Sequence, residues 1–198
     1  VTYIYLAKHV FDLEDISSRI LFLYFFAGLL VMPIWMKVSY LIGKSRTLLI
    51  STILCSLTLA TYLFIDTNDA LSTLITLTIF YGIGYGAPFT LTRALMADIV
   101  DADELRSDKK RPGLFYSILT TCSKVGAAIA VGLVYLYLEF KGFKPDQIAS
   151  DKIKEILLFV FAFVPMILYF CATLFCIGYE LTSEKHKEIQ KQLEFKNG

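Results

Sequence analysis

Four runs of this sequence carry no charged side chain: Ile20–Met36, Thr47–Ile65, Ala70–Thr92 and Ile156–Tyr179. A fifth, Gly113–Leu138, carries only Lys124. A transmembrane helix needs roughly 17–25 mainly apolar residues, and each run is long enough. Lipid offers no hydrogen bonds to the backbone, so such runs cross it as helices and not as open strands. Composition agrees, with 56% hydrophobic and 19% charged residues, against about 45–50% and about 25% in soluble domains. The chain is therefore expected to be an all-α, multi-pass membrane protein.

The first residues, VTYIYLA, are apolar but lack a basic segment before them and a small-residue cleavage site after them. They do not fit a signal peptide. They predict the last two turns of a span that begins upstream, in a sequence that is a fragment. The expected organisation is a bundle over 1–179 and a cytoplasmic tail over 180–198. Its spans lie near 1–7 (truncated), 17–38, 47–65, 70–92, 113–138 and 154–179.

Basic residues assign the sides. Lys37–Arg46, Arg93–Pro112 and the tail together hold twelve Lys and Arg, whereas Lys8–Asp15, Arg19, Asp66–Asp69 and Glu139–Glu155 hold six. Cytoplasmic loops carry the excess, so the C-terminus is expected in the cytoplasm. The expected location is the plasma membrane, or the inner membrane if the protein is bacterial, with lipid as a partner.

Several function classes are excluded. Basic residues flank the spans without the continuous basic face that nucleic acid requires. Cys55, Cys122, Cys171 and Cys176 lie in apolar runs, as buried hydrophobes rather than a disulfide framework. His9 and His186 stand in hydrophilic segments and are expected to be solvated. DIVDADE (98–104) lacks the glycine and closing glutamate of a calcium loop, so no metal site is expected. No intramembrane Asp, Glu or His is available as a general base, so no enzyme and no cofactor are expected.

Gly82–Gly86 reads GIGYG. It is not a dinucleotide turn, which needs a strand before it. It departs from the potassium-filter TVGYG and has no separate pore helix. Close helix packing is one reading, with Pro88 allowing a bend. A substrate role for Tyr85 in a cavity is another. Asp98, Asp101, Asp103 and Glu104 stand next to Arg106, Lys109, Lys110 and Arg111. Asp98 and Asp101 would share a helix face. These charges form either a solvated loop or an ion-pair gate at the cytoplasmic mouth, built on Asp98, Asp101, Arg106 and Arg111.

Lys124 stands near mid-membrane. On a helix it shares a side with Tyr116, Ser117 and Thr120, beside Gly126, Ala127 and Ala128, which suits a helix packed against others and facing a cavity. Intramembrane charges usually mark ion or substrate paths. No carboxylate occurs in any uncharged run, so Lys124 is either kept neutral by desolvation or paired with a charge from another part of the protein.

Met96–Lys124, MADIVDADELRSDKKRPGLFYSILTTCSK, resembles the corresponding segment of the glycoside–pentoside–hexuronide:cation symporters of the major facilitator superfamily. The likeness is looser over Gly43-Lys44-Ser45-Arg46 and the start with Tyr3 and Tyr5. It departs at Ala102-Asp103, where relatives usually have an aromatic residue or a glycine, and at Pro112. The resemblance implies the C-terminal six-helix half of that fold, whose partner is the N-terminal half. It implies a lysine, here Lys124, beside a sodium site whose carboxylates belong to that other half. It also implies that Thr120 lies close to a sugar cavity. Tyr116, on the same face, and Tyr85 complete the substrate-binding candidates.

The resulting expectation is symport of a sugar or glycoside with sodium or protons by alternating access between repeats 1–65 and 70–179. A symporter of a lysolipid or other amphiphile is the alternative, and an ion channel a more distant one.

Overall fold

The computed structural model describes residues 2–11, 13–64, 70–145, 149–177, 179 and 183–197. Among the described residues eight α-helices follow one another: α1 Thr2–His9, α2 Glu14–Ile42, α3 Lys44–Tyr62, α4 Ala70–Ser107, α5 Pro112–Phe140, α6 Asp151–Leu158, α7 Val164–Ile177 and α8 Ser183–Asn197. No strand occurs among the described residues. Among the described residues four helical segments are long and apolar enough to cross a membrane: within α2, within α4, α5, and the continuous Asp151–Ile177. The connection expected at Asp66–Asp69 lies outside the described residues.

Helix ends follow from local chemistry. Gly43, at φ 94°, closes α2 and opens α3 in one residue, a conformation that favours glycine. Its N–H still reaches the Ser39 carbonyl at 3.0 Å. Pro112 starts α5, where a missing N–H costs nothing. Between α6 and α7 the helix widens to a π turn over Phe159–Phe163. Val164, just after it, donates to the Phe159 carbonyl, and Pro165 next to that has no N–H for the ladder, so the backbone widens where that bond is lost.

The interior is more polar than the outside, as expected for a bundle solvated by lipid. Thr47, Ser51, Thr52 and Thr58 on α3, Thr78 on α4 and Thr173 on α7 are buried, while Phe22, Phe25, Leu29, Leu30 and Leu41 of α2 face outward. Most buried hydroxyls return a hydrogen bond to their own helix. Thr47 donates to the Gly43 carbonyl and Thr58 to the Leu54 carbonyl. Others join helices: Thr173 donates to Thr52 Oγ1 at 2.9 Å, Ser56 to the Met166 carbonyl and Ser45 to the Cys176 carbonyl. Between membrane helices each such bond is worth about 0.6–2 kcal/mol, which holds α3 to α7.

The GIGYG glycines lie at helix crossings. A Cβ on Gly82 would stand 2.5 Å from the Tyr24 carbonyl oxygen. On Gly84 it would stand 2.7 Å from Cys55 Sγ, and on Gly86 2.8 Å from the Gly28 carbonyl oxygen. The backbone of α4 therefore touches α2 directly and presses on α3. Trp35 of α2 adds a bond across the same crossing, donating to the Ile83 carbonyl at 2.8 Å.

Two expectations change. Arg93–Pro112 is not a loop: α4 continues through it to Ser107 and ends at Asp108, at φ 59°. Thirty-eight residues of helix make about 57 Å, far more than the roughly 30 Å hydrocarbon core. The charged turns are the part that projects beyond it. Helix α5, expected to be packed, is bare along its middle. Its buried residue is Leu138, held with Phe143, Leu157 and Val160 at the end away from the tail, and a Cβ on Gly126 or Gly132 would meet nothing within 4 Å.

Candidate functional site

Three groups of side chains carry the chemistry. The first is a cluster of phenols in the bundle interior. Tyr24 of α2 stacks on Tyr81 of α4, with ring centroids 5.6 Å apart and planes inclined by 20°. Tyr85, one turn along α4, leans on Tyr24 at 5.6 Å. Tyr81 donates to the Tyr169 hydroxyl of α7 at 3.3 Å. Toward the end away from the tail, the hydroxyls of Tyr3 and Tyr62 both meet Thr78 Oγ1 at 3.3 Å.

These rings border two half-open hollows. A cavity of about 190 Å³ is lined by Tyr3, Leu21, Tyr24, Tyr62, Thr78, Tyr81 and Phe161. A second, about 300 Å³, shares Tyr3, Tyr81 and Phe161 with it and extends to Pro165 and to Val134 of α5. Together they reach the lower end of the roughly 300–1,000 Å³ usual for small-molecule sites. Among the described residues, no charged side chain lines either cavity. The walls offer aromatic faces and hydroxyls, which suits a neutral ligand with both C–H faces and hydroxyl groups.

Of the substrate residues expected from sequence, Tyr85 touches this cluster through the rings of Tyr24 and Tyr81, but it is itself exposed and lines neither cavity. Tyr116 and Thr120 do not belong to the cluster. Both are exposed on α5, and the Tyr116 hydroxyl donates to the Arg93 carbonyl at 3.2 Å. Tyr24, Tyr62, Thr78, Tyr81 and Tyr169 were not among the expected residues. A signal for most of them exists, because eleven of the twelve tyrosines lie inside otherwise apolar runs, with Tyr81 and Tyr85 one helical turn apart.

The second group is Lys124 and its face. It is the thirteenth residue of twenty-nine in α5, hence near mid-helix, and it is exposed with Ser117 and Thr120 on one side. No carboxylate among the described residues forms an ion pair with it. Val134, on the cavity wall, lies ten residues further along, about 15 Å of helix.

The third group is charged and sits at the tail end of the bundle. Lys44, the first residue of α3, reaches Asp98 Oδ1 at 2.5 Å and the Ala94 carbonyl at 3.4 Å. Asp101 is met by His186 of α8, Nε2 to Oδ2 at 2.9 Å, and the same nitrogen is 3.4 Å from Asp98 Oδ1. Arg111 donates from Nη2 to both oxygens of Asp103, at 2.8 and 2.9 Å, with Nε at 3.2 Å. Lys110 pairs with Glu104 at 3.2 Å. The Tyr179 hydroxyl is buried without a hydrogen-bond partner among the described residues. Burial, and secondarily the charge of Asp98, hold its pKa above the ordinary phenol value, so it stays neutral.

The four residues expected to make a gate thus divide. Asp98 and Asp101 share one cluster, Arg111 is committed to Asp103, and Arg106 is exposed on the last turn of α4. Neither histidine is solvated as expected. His186 lies against two aspartates, and His9 is buried between the rings of Tyr5 and Phe143. All four cysteines are free, and only Cys55 is buried.

Sequence comparison bears on what such a bundle belongs to. Residues 1–183 match the family described as MFS/sugar transport protein. An uncharacterized symporter of Synechocystis is 33% identical over 61% of this chain and 23% of its own length. A glucuronide carrier protein homolog of Escherichia coli is 28% identical over 77% of this chain and 33% of its own length. A third protein, also from E. coli and provisionally named a glycoside/cation symporter, is 23% identical over 96% of this chain and 41% of its own length. The chain spans less than half the length of these relatives. With its apolar helices, its hydroxyl-lined interior and a match covering nearly every residue, the chain belongs to the MFS/sugar transport protein family of the major facilitator superfamily.

Proposed function

We propose that the protein is a secondary transporter that carries a sugar or glycoside together with a cation, sodium or a proton, by alternating access. The observation that carries this reading is the tyrosine cavity. A pyranose presents C–H faces, which stack on aromatic rings, and hydroxyls, which exchange hydrogen bonds with phenols and threonine. Tyr3, Tyr24, Tyr62, Thr78 and Tyr81 supply both and bring no charge. The names of the E. coli relatives support the same substrate class.

In this reading the chain is the C-terminal half of the transporter, and the exposed face of α5 with Tyr116, Thr120 and Lys124 looks toward the other half. The tail end of the bundle is cytoplasmic. A cysteine placed at Asp108, exposed at the end of α4, is expected to react with an impermeant maleimide from inside-out vesicles and not from intact cells. The reverse labelling would invert the topology.

Uptake of radiolabelled methyl glycosides and a glucuronide into vesicles of the full-length protein tests the function, under imposed sodium or proton gradients. Accumulation above the external concentration is expected with one of the two gradients. Tyr81→Ala should raise the half-saturating concentration about tenfold, the size of losing one stacking and hydrogen-bonding contact of ~1.4 kcal/mol. Passive conductance without accumulation would mean a channel. Uptake of lysolipids alone would assign the cavity to an amphiphile.

A further inference from the structure

We propose that the C-terminal helix α8 is a latch on the mouth of the transporter and that His186 is a gating residue. The proposal rests on the alternating-access reading above and adds to it an element from the tail.

Helix α8 is fastened to α4 at two points. His186 Nε2 lies 2.9 Å from Asp101 Oδ2 and 3.4 Å from Asp98 Oδ1, and Lys196 Nζ lies 2.9 Å from Asp108 Oδ1. His186 and Lys196 are ten residues apart, about 15 Å of helix. The two contacts therefore set the direction of α8 as well as its position. A solvated tail would not bury its histidine, yet the His186 side chain is 13% exposed and that of Asp98 6%.

Charge explains why a histidine stands there. Asp98 and Asp101 are two carboxylates, and Lys44 supplies one ammonium at Asp98. Tyr179, also near Asp98, is neutral. One carboxylate is left over, and the His186 ring lies against it, with Nε2 on Asp101 Oδ2 and 3.4 Å from Asp98 Oδ1. Removing one partner from a half-buried group of this kind leaves a carboxylate uncompensated, which is costly. When the mouth closes, Asp98 and Asp101 can be shared with cations of the facing half only if His186 withdraws. His186 therefore keeps the two carboxylates occupied while the mouth is open, and α8 must lift for it to close.

The test uses the full-length protein in vesicles and two readouts that need no substrate. Hydrogen exchange of amides in 184–196 reports docking of α8. Maleimide reaction at Ser117→Cys, on the α5 face that carries Lys124, reports opening of the mouth when Cys122, Cys171 and Cys176 are replaced by Ser. His186→Gln keeps a hydrogen-bonding group without the ring that reaches both aspartates. It is expected to speed α8 exchange about tenfold and to slow the Ser117→Cys reaction several-fold. His186→Arg can donate to both carboxylates and should leave both readouts near the parent values. Equal α8 exchange in parent and His186→Gln would overturn the docking. Lost protection with an unchanged Ser117→Cys rate would leave His186 structural and overturn the gate. A protein that carries no sugar but shows both effects would instead sink the symport reading and keep the latch.

Discussion

Gly82→Ala is expected to remove most of the folded protein from the membrane, although only one methyl group is added. The new Cβ would lie 2.5 Å from the Tyr24 carbonyl oxygen and 3.3 Å from Ala27 Cβ. The first is a backbone atom inside α2, so no rotamer change relieves the contact and the two helices must separate. Overpacking of a core usually costs about 1–3 kcal/mol, and separation here would also strain the Trp35 bond to Ile83 and the Tyr24–Tyr81 stack. Against a total stability of roughly 5–15 kcal/mol, that is a large share. Gly86→Ala meets the Gly28 carbonyl oxygen at 2.8 Å and should behave alike. Gly84→Ala differs, because its obstacle is Cys55 Sγ at 2.7 Å, and Cys55→Ala should restore much of the loss. Gly113→Ala, with nothing within 4 Å, is the control. Thermal unfolding in detergent measures the order. If Gly82→Ala melts with its parent, α2 and α4 do not approach as described.

The helices were legible because hydropathy and length respond to the same constraint, a bilayer about 30 Å thick. That logic misplaces the end of α4. Residues 93–107 are charged and lie beyond the lipid, so they look like a loop to hydropathy while their backbone simply continues the helix. The glycines of GIGYG were readable as close packing, since small residues inside an apolar run have few other uses. Their partners Tyr24, Cys55 and Gly28 were not, because nothing local in α2 or α3 says which residue faces α4. The same limit hides the tyrosine cavity, which draws on α1, α2, α3, α4 and the π turn. It also hides His186, a lone histidine in a polar tail whose role depends wholly on two aspartates some 85 residues earlier. Lys124 shows the converse. Its place in an uncharged run was plain from sequence, yet the surroundings expected for it do not occur among the described residues, where α5 is exposed around Lys124.

That bare face leads to the largest expected effect on transport. Lys124→Ala in the full-length protein should reduce cation-driven accumulation of glycoside by about 100-fold, while downhill exchange persists. A lysine at mid-membrane costs roughly 2.5–3.5 kcal/mol on insertion scales, which is about two decades in an equilibrium. Something must offset that cost, and no carboxylate among the described residues does. Under the symport reading the offset is a cluster of carboxylates on the facing half, which is itself unstable without a counter-charge. Lys124 then holds the place of the coupling ion and competes with it. Binding of the ion displaces or neutralises the lysine, and that exchange ties ion occupancy to the shape of the cavity. Alanine removes the competitor and leaves the carboxylates uncompensated, so the gradient no longer drives uptake although the tyrosine cavity is intact. Arginine should rescue poorly, because a guanidinium is larger and does not give up its proton. The measurements are glycoside accumulation under an imposed gradient and counterflow without one. If Lys124→Ala loses both equally, the residue is needed for the fold or for substrate binding. If it keeps both at parental rates, the lysine is a bystander and the coupling charge lies elsewhere.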